Sequence, residues 1–582
     1  VAEMEFYRKN SGPGGFIYSS IFGNALYDSL RDDVTQEMID TITADFYHTL
    51  AQCLKDGTYN HAVRSRKYHA FENLTHLSKR LKTSSYDAYE NPTGIVFNEG
   101  DKAVLFVSGS GNEPVYLRVR DFADEQDPGD HLYFLSEGEN VIVMKDSGLA
   151  YISYYTDSPA VAPPVDVNIV SGKVNGYFDP SIHTDADWIN LMSNASYPKI
   201  DLLGRFVHMI YDKSALRQNS PFNGSNLVQE YDTIVNWQKI QMGMYKYGYQ
   251  YPNRIQAISA TGGGYYAGGM GIHLDLTWGP ASITDPARLD LWGIPHEFGH
   301  VNQIRPGLRW IGLTEVTNNI YAIWASYNMN RQGEKYTRLE SEKFTNGDGT
   351  QSWAGNRFNN AIDSTFIHQK ALQDVQNDYP FRVLIPFWQL ELYYQLAGAC
   401  RGAAPLTYDE NPPVSGIDYA HWYGYVAERV RNTNQDGLNN GDRLLDFVRY
   451  TCDAVQEDLT SFFVNSGFLQ PIDKEIDDYG TGHLTVTQPQ IDSLIAEIKA
   501  KYPNKPVSPV INYISANSVD KYRDRLTLVG VTGEGATIVT DDGPTYLKID
   551  HTVWKNAVAF ETYDSAGALI HVSIRGTGDI TL

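Results

Sequence analysis

"GIPHEFGHVNQ", residues 293–303, decides how the rest of this chain is read. His296 and His300 are four residues apart. On a helix that spacing puts both imidazoles on one face, one turn apart, where they can hold a single ion. Neutral imidazole is a good Zn²⁺ ligand. Glu297, beside the first histidine, is the residue type that takes a proton from a metal-activated water in a zinc hydrolase. The competing reading is an ordinary helix with two hydrogen-bonded histidines. Pro295 fits a helix at its start, where a missing N–H costs nothing, and could be the first helical residue.

A catalytic zinc needs a third protein donor. "QIRPGLRWIG" (303–312) carries Pro306, Gly307 and Gly312, enough turn signal to fold the following segment back. That segment, "TEVTNNIYAIWASY" (314–327), has a helical pattern with Glu315 on its first turn. Glu315 is therefore the expected third ligand, which is the donor set of the thermolysin-like (gluzincin) class. A third histidine six residues after His300 is absent, because position 306 is Pro. The plainer reading of Glu315 is a first-turn acid stabilised by the helix dipole. Asn319, one turn later, is expected to orient His296 through its second ring nitrogen; the alternative is a surface Asn.

Around this motif the chain of 582 residues is too long for one core, and about 100–200 residues per domain suggests three to five units. Residues 1–88 read as an N-terminal helical region, with Val34, Met38, Ile39, Ile42 and Phe46 near helical spacing. Residues 89–165 read as an accessory β-sandwich of short Val-, Ile-, Phe- and Tyr-rich runs separated by turn residues. Residues 166–505 read as the catalytic domain, helical from about 185 to 250 and again after the motif. Residues 506–582, with short strands and Gly-rich turns, read as a second β-sandwich. The expected fold class is multidomain α+β: a gluzincin catalytic core with a large helical subdomain, flanked by β-sandwiches.

Composition bounds the function. Net charge is −23, and no basic run reverses it locally, which argues against nucleic-acid binding. No run of about eighteen apolar residues predicts a transmembrane span. The opening "VAEMEFYRKN" lacks the charged, apolar and small-residue regions of a signal peptide. Cys53, Cys400 and Cys452 are too few for a disulfide framework, although one Cys400–Cys452 bridge is open. Aromatic content of 13%, with 40 Tyr, fits carbohydrate contacts by the β-domains as well as it fits Tyr-rich cores.

"PHEFGHVNQ" followed by "GLRWIGLTEVTNNIYA" resembles the enhancin-like, mucin-directed zinc peptidases (peptidase family M-sixty). That family's pattern is His-Glu-x-x-His and then a glutamate roughly 8 to 24 residues on. Fourteen residues lie between His300 and Glu315. "LIPFWQLELYYQ", "DYAHWYGYVAERVRN" and "EDLTSFFVNSGFLQPID" are similar to the family's helical half, and "WKNAVAFETYDSAG" to its β-rich domain. The resemblance spans about 170–582. It implies a secreted or bacterial cell-surface enzyme, with the signal or lipoprotein segment outside this sequence. It also implies mucins and other O-glycoproteins as substrates, and recognition of a glycan next to the scissile bond.

The glycine-rich run before the motif is compatible with that reading. Gly263 and Gly264 remove side chains where a glycan needs room, and Tyr265 and Tyr266 can stack on sugar; the alternative is a hairpin without a ligand role. Arg309 and Trp310, in the connection to the second helix, are further candidate substrate contacts. The gluzincin likeness also implies a Tyr or His that donates to the oxyanion, with His421, Tyr423 and Tyr393 among the candidates. Two other functions stay open: a gluzincin endopeptidase indifferent to glycan, and a non-catalytic glycan-binding adhesin.

Overall fold

The computed structural model describes residues 16–111, 113–126, 128–329, 338–341, 343–345, 351–353, 357–374, 379–401, 419–507, 510–540, 546–575 and 580–581. They divide into two compact units. One takes in the described residues up to Lys79, with Ser85–Val235 and Tyr251–Asp290; the other takes in Arg80–Ser84, Asn236–Gln250 and the described residues from Leu291 onward.

In the first unit, two sheets share one core. The four-stranded sheet runs Ser65–Tyr68, Val165–Ile169, Lys102–Ser108, Gly138–Val143. The five-stranded sheet runs Lys173–Val174, Pro92–Phe97, Gly148–Ser153, Val115–Arg120, Asp130–Leu135. Alternation does the work: Ala103, Leu105 and Val107 from one sheet and Val115, Leu117 and Val119 from the other point into the shared core. Ser65–Tyr68 lies inside the stretch read as helical, and Val165–Ile169 and Lys173–Val174 cross the expected edge at 165. Neither edge is a structural boundary, because Ser65 pairs with Asn168 across the whole intervening segment. The single helical run expected near 34–56 is two helices, Gln36–Asp40 and Asp45–Lys55, the first started by the Thr35 side chain on the Met38 N–H.

A second five-stranded sheet in this unit has the order Lys199–Leu203, Val207–Asp212, Ile255–Ala260, Gly271–Asp275, Tyr266–Gly268. Its first two strands fall where helix was expected. "KIDLL" and "VHMIYD" are almost wholly buried, and a short apolar run fits a buried strand as well as a buried helix. Tyr266–Gly268 is an edge strand, antiparallel to Gly271–Asp275.

The second unit is mainly helical. Gly293–Asn302 and Thr314–Asn328, here the histidine helix and the glutamate helix, are followed by Tyr379–Leu390, Trp422–Asn432, Asn440–Val455 and Gln488–Lys501. Trp310, Phe387, Phe447 and Phe468 interlock in its core. A β-hairpin, Ile472–Asp477 with Thr481–Val486, interrupts the helices where no strand was expected. Residue 505 is no boundary either: Tyr513 and Ile514 are buried, and Gln389 donates to the Ile514 carbonyl. Beyond it lie a three-stranded sheet and the separate hairpin Ala559–Tyr563 with Leu569–Ile574. Leu528, Val529 and Ile538 there are exposed, so these strands are a looser arrangement than the sandwich expected for 506–582. The division of the chain at 290 falls inside the expected 166–505 domain. Cys53, Cys400 and Cys452 are free thiols, so no Cys400–Cys452 bridge forms. No described helix is long and apolar enough to cross a membrane.

Candidate metal centre

The histidine helix begins at Gly293, so Pro295 is its third residue and not its first. The physical reason for tolerating it is unchanged, since the first four N–H groups of a helix have no intrahelical partner. His296 N–H donates to the Trp292 carbonyl, and Gln238 donates to the Pro295 carbonyl from outside the helix. At the other end, Gln303 is fully buried and ties the two helices together. Its Nε2 donates to Thr317 Oγ1 at 2.6 Å and to the Leu313 and Thr314 carbonyls at 3.0 and 3.1 Å.

Gly299, the third residue after His296, sets how closely the helices cross. A Cβ built on it would lie 2.4 Å from the Asn318 backbone oxygen. Only a residue without a side chain lets the glutamate helix come this near. The approach brings Glu315 Oε2 to 3.1 Å from His296 Nε2 and 3.3 Å from His300 Nε2. The three donor atoms all lie within 4.8 Å of one another, and this trio is the metal-competent cluster among the described residues. Bond lengths of about 2.0–2.1 Å in a tetrahedron put neighbouring donors about 3.3 Å apart, so the set fits zinc.

Asn319 settles the histidine tautomer. Its Nδ2 donates to the Glu315 carbonyl at 2.8 Å, which leaves Oδ1 to face His296 Nδ1 at 2.7 Å. A carbonyl oxygen only accepts, so Nδ1 carries a proton, and Nε2 is the ring nitrogen turned toward Glu315. Asn318, which the sequence gave no reason to single out, packs its fully buried amide against the same rings, with Nδ2 3.0 Å from His300 Nε2. Glu297 is buried, with Oε1 3.9 Å from His296 Nε2. Burial would raise the Glu315 pKa, but hydrogen bonds from His296 and His300 outweigh it and hold the carboxyl well below the usual range. Burial also opposes charge on both histidines. Glu315 and Glu297 overcome it at His296, which is held above its ordinary value, whereas His300 stays below.

The glutamate helix has no capping side chain of its own: its N-cap, Leu313, offers none. Asp478, at the tip of the 472–486 hairpin, supplies the cap. Its Oδ2 accepts from Gly312 N–H at 2.8 Å, Thr314 N–H at 3.2 Å and Thr314 Oγ1 at 2.8 Å. The next residue, Tyr479, donates its phenol to Glu315 Oε1 at 2.8 Å.

The remaining expected site residues fall out differently. Trp310 is 1% exposed and donates Nε1 to Gln373, so it is a core residue and cannot touch substrate. Arg309 donates Nε to Thr314 Oγ1 at 2.9 Å and so braces the start of the glutamate helix. Tyr393 and Tyr423 are buried among helices, which removes them as oxyanion donors, and His421 is also buried. In the first unit, Gly263 and Gly264 form a turn at positive φ, with Asp275 accepting from the Gly262 and Gly264 N–H groups. Tyr265 stacks on the exposed Trp278, and Tyr266 stacks on His273.

The family model described as peptidase M60, enhancin and enhancin-like matches residues 174–467. Solved structures share the fold. A metallopeptidase from Bacteroides thetaiotaomicron superposes with a TM-score of 0.74 at 21% identity, over 97% of this chain and 94% of that one. A metallopeptidase in complex with Tn antigen gives 0.71 at 20% identity, over 90% and 96%. The M60 catalytic domain of Clostridium perfringens ZmpC, in complex with the sialyl T antigen, gives 0.62 at 18% identity, over 89% and 94%. No curated protein matches the chain.

Proposed function

Because this chain belongs to the peptidase M60, enhancin and enhancin-like family, and is therefore a peptidase, we propose that it is an extracellular or cell-surface zinc enzyme that cuts mucin-type O-glycoproteins beside a glycan. The convergence of His296, His300 and Glu315 to within 4.8 Å carries this reading. These three would hold Zn²⁺ in the gluzincin manner, with Asn319 fixing the His296 tautomer. Zinc, when bound, polarises the scissile carbonyl and lowers the pKa of water toward about 7.

The chain's own groups do the proton work. Glu297 accepts the proton of the attacking water as its oxygen bonds to the carbonyl carbon. It then delivers that proton to the departing amine nitrogen as the C–N bond breaks. The two glycan complexes among the structural relatives support an O-glycan as the specificity element. Gly263, Gly264, Tyr265 and Tyr266 are proposed substrate contacts. The two facing sheets of the first unit are proposed as the accessory β-sandwich.

The test uses defined glycopeptides, each with and without its O-glycan, and mass spectrometry of the products. The wild-type protein should cleave only the glycosylated form and stop on chelation. Glu297→Gln should keep its zinc and lose about 10²–10⁴-fold in kcat, the usual worth of a positioned base. Undiminished cleavage by that variant would refute the assignment.

A further inference from the structure

Tyr479 is an unusual tyrosine. It is 82% exposed, so packing does not account for it. Its backbone is left-handed, with φ of +55°, a conformation that strains a non-glycine residue. The strain has a geometric consequence. Asp477 pairs with Thr481, so the hairpin turns through three residues, Asp478, Tyr479 and Gly480. With Asp478 fixed on the N-terminus of the glutamate helix, this turn aims the phenol back along that helix to Glu315 Oε1. The carboxylate's other oxygen is the one that faces both imidazoles. A hydroxyl donor thus stands at the solvent side of the three-ligand cluster, mounted on the element that positions one of the ligands.

Resting on the zinc-peptidase reading above, we propose that Tyr479 is a catalytic residue: its hydroxyl donates a hydrogen bond to the oxygen of the scissile carbonyl as the tetrahedral intermediate forms. The phenol O–H bond stays intact. The carbonyl π electrons move onto oxygen as water oxygen bonds to carbon, and the hydrogen bond strengthens with that charge. In the structure the phenol donates to Glu315 Oε1. Its exposure lets the ring rotate to an incoming carbonyl without disturbing a core. The hairpin lies outside residues 174–467, the stretch matched to the family model, so the assignment comes from this chain's geometry.

The experiment is Tyr479→Phe in the full zinc-loaded chain. The exposed ring makes the variant safe for folding. A fall in kcat of about 10²–10³-fold is expected, with KM changed less than about threefold, as for loss of one oxyanion donor. Zinc content and Tm should match wild type. A phosphinic glycopeptide, which presents a tetrahedral anion, should bind about 100-fold more weakly. The uncleaved glycopeptide, measured on Glu297→Gln with and without Tyr479→Phe, should bind equally well to both.

A kcat within about threefold of wild type would overturn the proposal. So would parallel losses of kcat and zinc, which would make Tyr479 a holder of Glu315 and nothing more. Failure of the underlying reading shows elsewhere, as wild-type protein without zinc or a fully active Glu297→Gln, and the proposal falls with it.

Discussion

Gly299→Ala puts the helix crossing to the test. The added methyl carbon would stand 2.4 Å from the Asn318 carbonyl oxygen, and the nearest alternatives, Asn318 C and Cα, are at 3.1 and 3.3 Å. A carbon and a carbonyl oxygen rest no closer than about 3.3 Å, so something must open by about 1 Å. The obstacle is helix backbone, which cannot rotate away as a side chain can. Gln303 holds the helices together at the connection. The strain therefore divides between compressing the crossing and parting the helices. Overpacking of this kind costs about 1–3 kcal/mol.

Any separation moves Glu315, one turn before Asn318, away from His296 and His300. Metal sites tolerate ligand errors of only about 0.2 Å, so zinc affinity should fall by at least about tenfold. Two measurements check this: Tm of the zinc-free protein, which reads the packing cost, and a chelator competition, which reads affinity. A Gly299→Ala protein with unchanged Tm and unchanged zinc affinity would show that the close crossing does not control the ligand set.

Asn319→Ala should weaken zinc by about 10–100-fold, the usual effect of removing the partner of a ligating histidine, while Asn319→Asp retains binding; equal affinity in Asn319→Ala would refute the tautomer argument. His273 offers a pH test in the first unit. Burial, aided by Lys199 and Arg120, pushes it from 6.5 down to about 4. The folded state therefore disfavours the protonated form. The stability tied to this group is full above 6.5 and drains away as pH falls toward 4, by at most about 3 kcal/mol. Urea denaturation at about pH 7.5 and about pH 4.5 should show wild type losing more stability than His273→Gln by roughly that amount, and equal losses would refute it.

How much of this site the sequence shows depends on how far apart its parts lie along the chain. His296, Glu297 and His300 are one helical turn, and Glu315 and Asn319 are one turn of the next helix. Periodicity and turn residues are enough to place both. Burial is harder. Trp310 sits in the connection to the glutamate helix, and nothing in "GLRWIG" says that its ring faces Phe387 and Phe447 and not solvent. The strand Ser65–Tyr68 takes its identity from Val165–Ile169, so a window scan has nothing to find.

Tyr479 is the instructive case, because its hairpin did carry a signal. "IDKEID" and "TGHLTV" are two short runs around a turn of Asp, Tyr and Gly, the spacing of a β-hairpin with a three-residue loop. What no local pattern supplies is the destination of the tip, since Tyr479 and Glu315 are 164 residues apart. Asp478 makes the connection physical. The glutamate helix begins at Thr314, and its N-cap, Leu313, has no acceptor side chain, so its first N–H groups need an acceptor from elsewhere. That need is met by Asp478 from the hairpin tip. The same turn brings the Tyr479 phenol to Glu315.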